Sequence, residues 1–175
     1  MDIGLVNEEA RAIRVDGALP RAAIAGVRIL VGLLWLSNLS WKTPPDFRTL
    51  ERFTQWGVDR PVFAPFSAVI ERVILPHMAF FGYVTLITEA SLGAFLLLGL
   101  ATRFWAVVGM IMTATIALTV INAPHEWSWA YYMMFAAHAA LWASAAGRCF
   151  GLDGLLRAGW IRSDLAPIRL LGRAS

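Results

Sequence analysis

With 175 residues, 58% of them hydrophobic and only 15% charged, the chain is too apolar to keep a globular surface wet; soluble domains carry about a quarter charged residues. Its formal net charge of +3 comes mainly from arginines set between apolar blocks, Lys42 being the single lysine, and no basic strip with interleaved aromatics exists to hold nucleic acid. Cys149 is the only cysteine, which excludes an internal disulfide and a Cys-x-x-Cys redox pair.

The N-terminal stretch contains Asp2, Glu8, Glu9 and Asp16 and lacks the basic start and cleavage pattern of a secretory signal, so the first apolar run is expected to stay as a membrane anchor. A span needs about 20 predominantly apolar residues. Four segments meet or approach that length, at about 19–41, 78–100, 104–121 and 127–147, between a tail at 1–18 and a basic tail at 151–175. The expected fold is an all-α membrane protein, a four-transmembrane-helix up-down bundle over 19–150, because short links at 101–103 and 122–126 make consecutive helices antiparallel neighbours.

The first connection, 42–77, is long. Phe47, Leu50 and Phe53 recur at helical spacing, as do Phe66, Val69, Ile70, Val73 and Ile74, predicting short interfacial helices on the outer surface. A lid over a cavity is the alternative. Arg11, Arg14, Arg21, Arg103, Arg148, Arg157, Arg162, Arg169 and Arg173 fall on one side, whereas Lys42, Arg48, Arg52, Arg60 and Arg72 are nearly balanced by acids. The positive-inside rule therefore puts both termini in the cytoplasm and the chain in the inner (plasma) membrane. Trp41, Trp56, Trp127, Trp129, Tyr131 and Tyr132 gather at the opposite face as an aromatic belt would. The tail after Gly151 reads as a basic amphipathic segment on the inner surface, or as a solvated tail beyond Ser163.

Ionisable residues at bilayer depth are costly, roughly 2.5–3.5 kcal/mol each on insertion scales, and face the bundle interior. Arg28, Trp35, Asn38 and Lys42 share one arc of the first span; His77, Phe81, Thr85, Thr88 and Glu89 share a face of the second. Met112, Thr115, Thr119 and Asn122 align on the third, and Tyr131, Met134, His138 and Trp142 on the fourth. Turned inward, these stripes line a polar cavity open to the outer face. Glu89 lies roughly 18 Å below His77 at 1.5 Å per residue, a depth similar to that of His138 below Trp127. An acid and an imidazole at one level can exchange protons with a redox ligand such as a quinone. Glu89 and His138 are thus the expected proton-handling residues, with Trp35, Asn38, Lys42, Thr85 and Tyr131 expected around the ligand. The competing readings are a Glu89 that bonds Thr85, a neighbouring helix or Arg28, and a His138 that is a satisfied core residue. Arg28 reads as an inner anchor able to reach Asp153, and Gly82, Ser91, Gly93, Gly99 and Gly109 as close-packing positions. His125 and Glu126 alone are too few ligands for a metal, so no metal site is expected.

Several short runs carry a family resemblance: Arg28-Ile-Leu-Val-Gly-Leu-Leu-Trp-Leu ahead of Lys42, Glu89-Ala-Ser-Leu-Gly, Leu98-Gly-Leu-Ala-Thr-Arg103, Glu126-Trp-Ser-Trp-Ala-Tyr131 and Ala146-Gly-Arg-Cys-Phe-Gly-Leu-Asp153. In this order, between about Arg28 and Leu156, the chain resembles DoxX-like membrane proteins, especially the DoxD small subunit of thiosulfate:quinone oxidoreductase. The resemblance implies a four-helix membrane fold, a redox-protein partner subunit in the bilayer and a quinone as cofactor. It makes Lys42, Glu89, Arg103, Glu126, Trp127, Arg148 and Asp153 the matching polar positions. A membrane scaffold for a soluble redox enzyme and a small-solute carrier remain the alternatives. Self-association stays open, and a catalytic centre complete within this chain is not expected.

Overall fold

The computed structural model describes residues 17–175, so the expectations for the N-terminal tail, including Arg11 and Arg14, lie outside the described residues. Every element among the described residues is helical. In chain order these are α1 (Ala18–Ser37), α2 (Arg48–Asp59), α3 (Ala64–Val69), α4 (Met78–Leu98), α5 (Thr102–Val120), α6 (Ser128–Ala143), α7 (Leu152–Ile161) and α8 (Ala166–Ala174).

Among the described residues three helices are long and apolar enough to cross a membrane: α1, the run from Ala64 to Leu98, and α5. The second results from α3 continuing through a π turn at Ile70–Ile74 and a 3-10 turn at Leu75–His77 into α4. Pro76 lacks the N–H that a regular α turn would use there, so the helix changes its winding at this point instead of ending. The sequence places a boundary between an interfacial helix and a span at this proline; the backbone carries both in one helical path. The helix α6, with 16 residues, is roughly 24 Å long.

The helix α1 packs along α4, and α5 along α6. Val31, Trp35, Leu92, Leu96, Ala106, Leu141 and Ala146 form the buried core where the two pairs meet. The close approach of α1 to α4 depends on small residues. A Cβ on Gly32 would lie 3.0 Å from the Gly93 carbonyl oxygen, and one on Gly93 would lie 2.9 Å from that of Gly32.

The outer connection is packed into the bundle. Phe47 is fully buried, fills the space beside Gly82, and meets the Tyr83 ring edge-on at 5.0 Å. Behind it α2 rests on the outer end of α5, where Gly57 sits against Thr119 and Ile70. Of the apolar side of this segment, Phe47 and Ile70 are buried against protein, whereas Phe53, Val69 and Val73 stay exposed. At the opposite end, α4 stops in a Schellman cap: Gly99 adopts φ 66°, its N–H donates to Leu96 O, and Leu100 N–H donates to Phe95 O.

Candidate functional site

Beyond Ser37 the chain leaves the helix and turns back over the end of α1. The Leu39 N–H donates to Leu36 O and the Lys42 N–H to Leu39 O. This turn swings Lys42 inward, where its Nζ lies 2.7 Å from Glu89 Oε2 on α4. Lys42 is 3% exposed and Glu89 0%. The same ammonium donates to the Asn38 carbonyl oxygen at 2.9 Å and stands 4.0 Å from the centre of the Trp41 ring. Trp41 Nε1 donates to Asn38 Oδ1 at 2.9 Å, which leaves the Asn38 amide nitrogen to reach the Glu89 Oε2 atom at 3.5 Å. Both contacts made to the carboxylate, from Lys42 and Asn38, fall on Oε2. The other carboxylate oxygen, Oε1, is buried and has no protein hydrogen-bond partner.

One turn down α1, Trp35 Nε1 lies 2.9 Å from His138 Nε2 on α6. An indole N–H can only donate, so Nε2 is the acceptor. The proton therefore sits on Nδ1, 2.7 Å from the Met134 carbonyl oxygen. This network fixes a neutral imidazole in one tautomer with both nitrogens engaged. Gly109 on α5 makes room for the ring, which a Cβ there would overlap.

The residues predicted to form one site therefore divide. Asn38, Lys42 and Glu89 come together, and Trp35 joins His138 in a separate bond. Glu89 and His138 do not hydrogen-bond each other, because Trp35 and Met134 take the ring nitrogens. The hydroxyl of Tyr131, in the first turn of α6, donates to Glu126 Oε2. Thr85 is half-buried one turn before Glu89 on α4. Trp41 was read only as part of an interfacial belt, yet it orients Asn38 and covers the ammonium. Its spacing of three residues from Asn38 was the available signal. Directly after Lys42, a cleft of about 330 Å3 opens outward, lined by Thr43, Pro44, Asp46, Arg48 and Thr49. Among the described residues no three His, Cys, Asp or Glu side chains converge.

The other end of the bundle uses its buried charges differently. Arg28, 1% exposed, sends Nη1 to the Leu96 and Leu97 carbonyl oxygens at 2.8 and 3.1 Å. Its Nη2 reaches those of Phe150 and Cys149 at 3.3 and 3.5 Å. A cation thus meets the carbonyls that α4 leaves open at its C-terminus. Asp153 accepts the Ala101 N–H on Oδ1 at 2.7 Å and the Thr102 N–H on Oδ2 at 2.9 Å, while its own N–H donates to Gly99 O at 2.8 Å. The start of α5 has no cap from its neighbours, and Asp153 supplies one from the far end of the sequence. Burial pushes the Asp153 carboxyl up, opposed by these N–H donors and by the charge of Arg148. Arg28, read as able to reach Asp153, lies close enough to feel its charge, while the hydrogen bonds of the two serve opposite helix ends that meet at one corner.

Comparison with known families gives a match to the one described as TQO small subunit DoxD, over residues 60–171. No curated protein and no solved structure matches the chain. The matched stretch includes Glu89, His138 and Asp153, whereas Asn38, Trp41 and Lys42 precede it.

Proposed function

The chain belongs to the DoxD family, and from that premise we propose that it is the membrane subunit of a quinone-linked oxidoreductase whose ligand site centres on Lys42 and Glu89. The observation that carries this reading is the orphaned Oε1 of a fully buried Glu89 whose other oxygen is held by Lys42. A buried acceptor without a partner is expensive, about 1–3 kcal/mol or more for a charged group. Such a cost is sustained where a ligand or a proton answers it.

The donor set suits a quinone head group. Lys42 has three N–H donors; its ammonium bonds Glu89 Oε2 and the Asn38 carbonyl oxygen and rests on the Trp41 ring. Its remaining donor suits a ring carbonyl, and Glu89 Oε1 suits a ring hydroxyl. Lys42 and Glu89 would hold a quinone there, which would supply a two-electron, two-proton acceptor for the partner subunit, with protons drawn from the aqueous side and relayed one at a time through Glu89. Glu89 holds the proton to be transferred, Lys42 keeps the carboxylate in place, and Asn38 and Trp41 fix Lys42. Thr85 lies one turn before Glu89 along α4, and the cleft lined by Thr43 begins one residue after Lys42. His138 acts as a positioning residue: it holds Trp35 and, through it, the stretch of α1 that ends at Asn38. Tyr131, bound to Glu126, closes the outer end of α6.

In this reading α6, lengthened by Trp127 and residues up to 147, is a fourth span. Both ends of the bundle's chain then share the inner face of the plasma membrane. The contacts of Arg21 with the Arg148 carbonyl and of Arg28 with Cys149 and Phe150 support that common face. Thiosulfate is the first electron donor to try. Extraction in mild detergent followed by quinone analysis tests the site: wild-type protein is expected to carry bound quinone, and Lys42→Met and Glu89→Gln to lose it. Protein free of quinone, together with unchanged quinone-dependent turnover in both variants, would overturn the proposal.

A further inference from the structure

The inner face carries a helical hairpin that the proposed chemistry leaves unused. Through the bonds of Asp153 to Ala101 and Thr102, the first turn of α7 is fixed against the turn between α4 and α5. That turn joins two helices long and apolar enough to cross a bilayer. The start of α7 therefore lies at the membrane boundary.

Asp153, on the docked side of α7, is fully buried, whereas Leu155, Ala158 and Arg162 are exposed at spacings of three and four, with Leu155 78% exposed. The chain then folds back, and Gly172 of α8 packs against Ile161 and Trp160. This leaves Leu171 exposed on one flank of α8 and Arg169 on the other. Leu155 and Arg162 thus share the exposed face of α7, while Leu171 and Arg169 flank α8 on either side, Arg169 Nη1 lying 3.4 Å from the Ser163 and Asp164 carbonyl oxygens.

We propose that the hairpin α7–α8 lies in the head-group layer and binds anionic phospholipid. Leu155 and Leu171 enter the acyl boundary, while Arg162 and Arg169 take the phosphates. Three features favour a lipid surface over a soluble protein. The hairpin's height is set by a membrane turn, so its apolar face meets lipid before any partner arrives. Every cation from Arg148 onward is an arginine, whose planar fork matches phosphate oxygens. The two acids of this stretch are Asp153, committed to α5, and Asp164, so the outward charge is positive.

The test is hydrogen exchange across residues 152–174 of the full chain in nanodiscs of phosphatidylcholine, with and without phosphatidylglycerol. Phosphatidylglycerol is expected to slow exchange in the hairpin and leave α1, α4 and α5 unchanged. An arginine near an anionic surface contributes about fivefold in affinity, so Arg162→Gln with Arg169→Gln is expected to raise the phosphatidylglycerol needed for half-protection roughly twentyfold. The paired Lys substitutions keep the charge and should retain most of the effect. Equal exchange in the two lipid mixtures, or protection that arises only when a soluble partner fraction is added, would overturn the assignment. The wild-type lipid comparison decides the matter even if the glutamine variant folds poorly. Because this inference rests on the position of α7 and not on Lys42 or Glu89, it can fail while the quinone reading stands, and the reverse.

Discussion

The two ends of the bundle bury charge in opposite ways. At the end beside the α4–α5 turn, Arg28 meets backbone carbonyls and Asp153 meets backbone N–H groups, so each charge serves a helix terminus. Toward the other end, Lys42 and Glu89 answer each other, and one carboxylate oxygen is left over. Helix ends have fixed needs that these two side chains meet, although Arg28 Nε, like Glu89 Oε1, is buried without a hydrogen-bond partner. The Lys42–Glu89 pair meets one backbone group, the Asn38 carbonyl oxygen, and the spare oxygen of Glu89 is available to a ligand. The contrast separates charge that holds the fold from charge available for chemistry.

The sharpest way to break this contrast is Lys42→Met, which strands the Glu89 carboxylate at depth. We expect a loss of about 4 kcal/mol in unfolding experiments in detergent. The double variant Lys42→Met/Glu89→Gln removes both charges and should regain most of it. Asp153→Ala comes next, at about 3 kcal/mol, since two N–H donors lose their acceptors. That variant should keep quinone-dependent turnover below its unfolding temperature, as expected of a structural charge. Gly109→Ala pushes against the His138 ring and is expected to cost about 2 kcal/mol, read as a lowered Tm. Trp35→Phe is the mildest, about 1 kcal/mol, because it removes one hydrogen bond and leaves Nε2 of His138 without its donor. A Trp35→Phe loss as large as that of Asp153→Ala would erase the distinction between the two ends.

Much of the helical architecture was legible in the sequence, because span length and hydropathy are local properties. The membrane helices α1 and α5 stand close to their expected places. The join across Pro76 was not legible, since a proline ends a helix more often than it rewinds one. The structure buries Trp35, Lys42, Glu89 and His138 of the polar stripes, whereas His77, Thr115, Asn122 and Trp142, expected on the same inward faces, are exposed, and helical spacing does not reveal which stripe meets which. Depth counting suggested Glu89 beside His138. The rotation of α1 instead gave Glu89 to Lys42 and His138 to Trp35. Lys42 had also been counted among outer-loop charges, because nothing local shows that the turn after Ser37 folds it back. Asp153 was harder still, since it caps a helix that begins 51 residues earlier in the chain.

The most direct measurement is quinone-dependent turnover of Glu89→Gln in the reconstituted complex, with its Tm recorded on the same sample. Lys42 keeps the Asn38 carbonyl and the Trp41 ring in this variant, and its stem can reach toward the outer surface, so the stability cost should stay near 1 kcal/mol. Turnover is expected to fall at least tenfold, about 1.4 kcal/mol in the barrier, with the fold intact. Turnover at the wild-type level in a protein of nearly wild-type Tm would show that the spare oxygen of Glu89 serves no ligand.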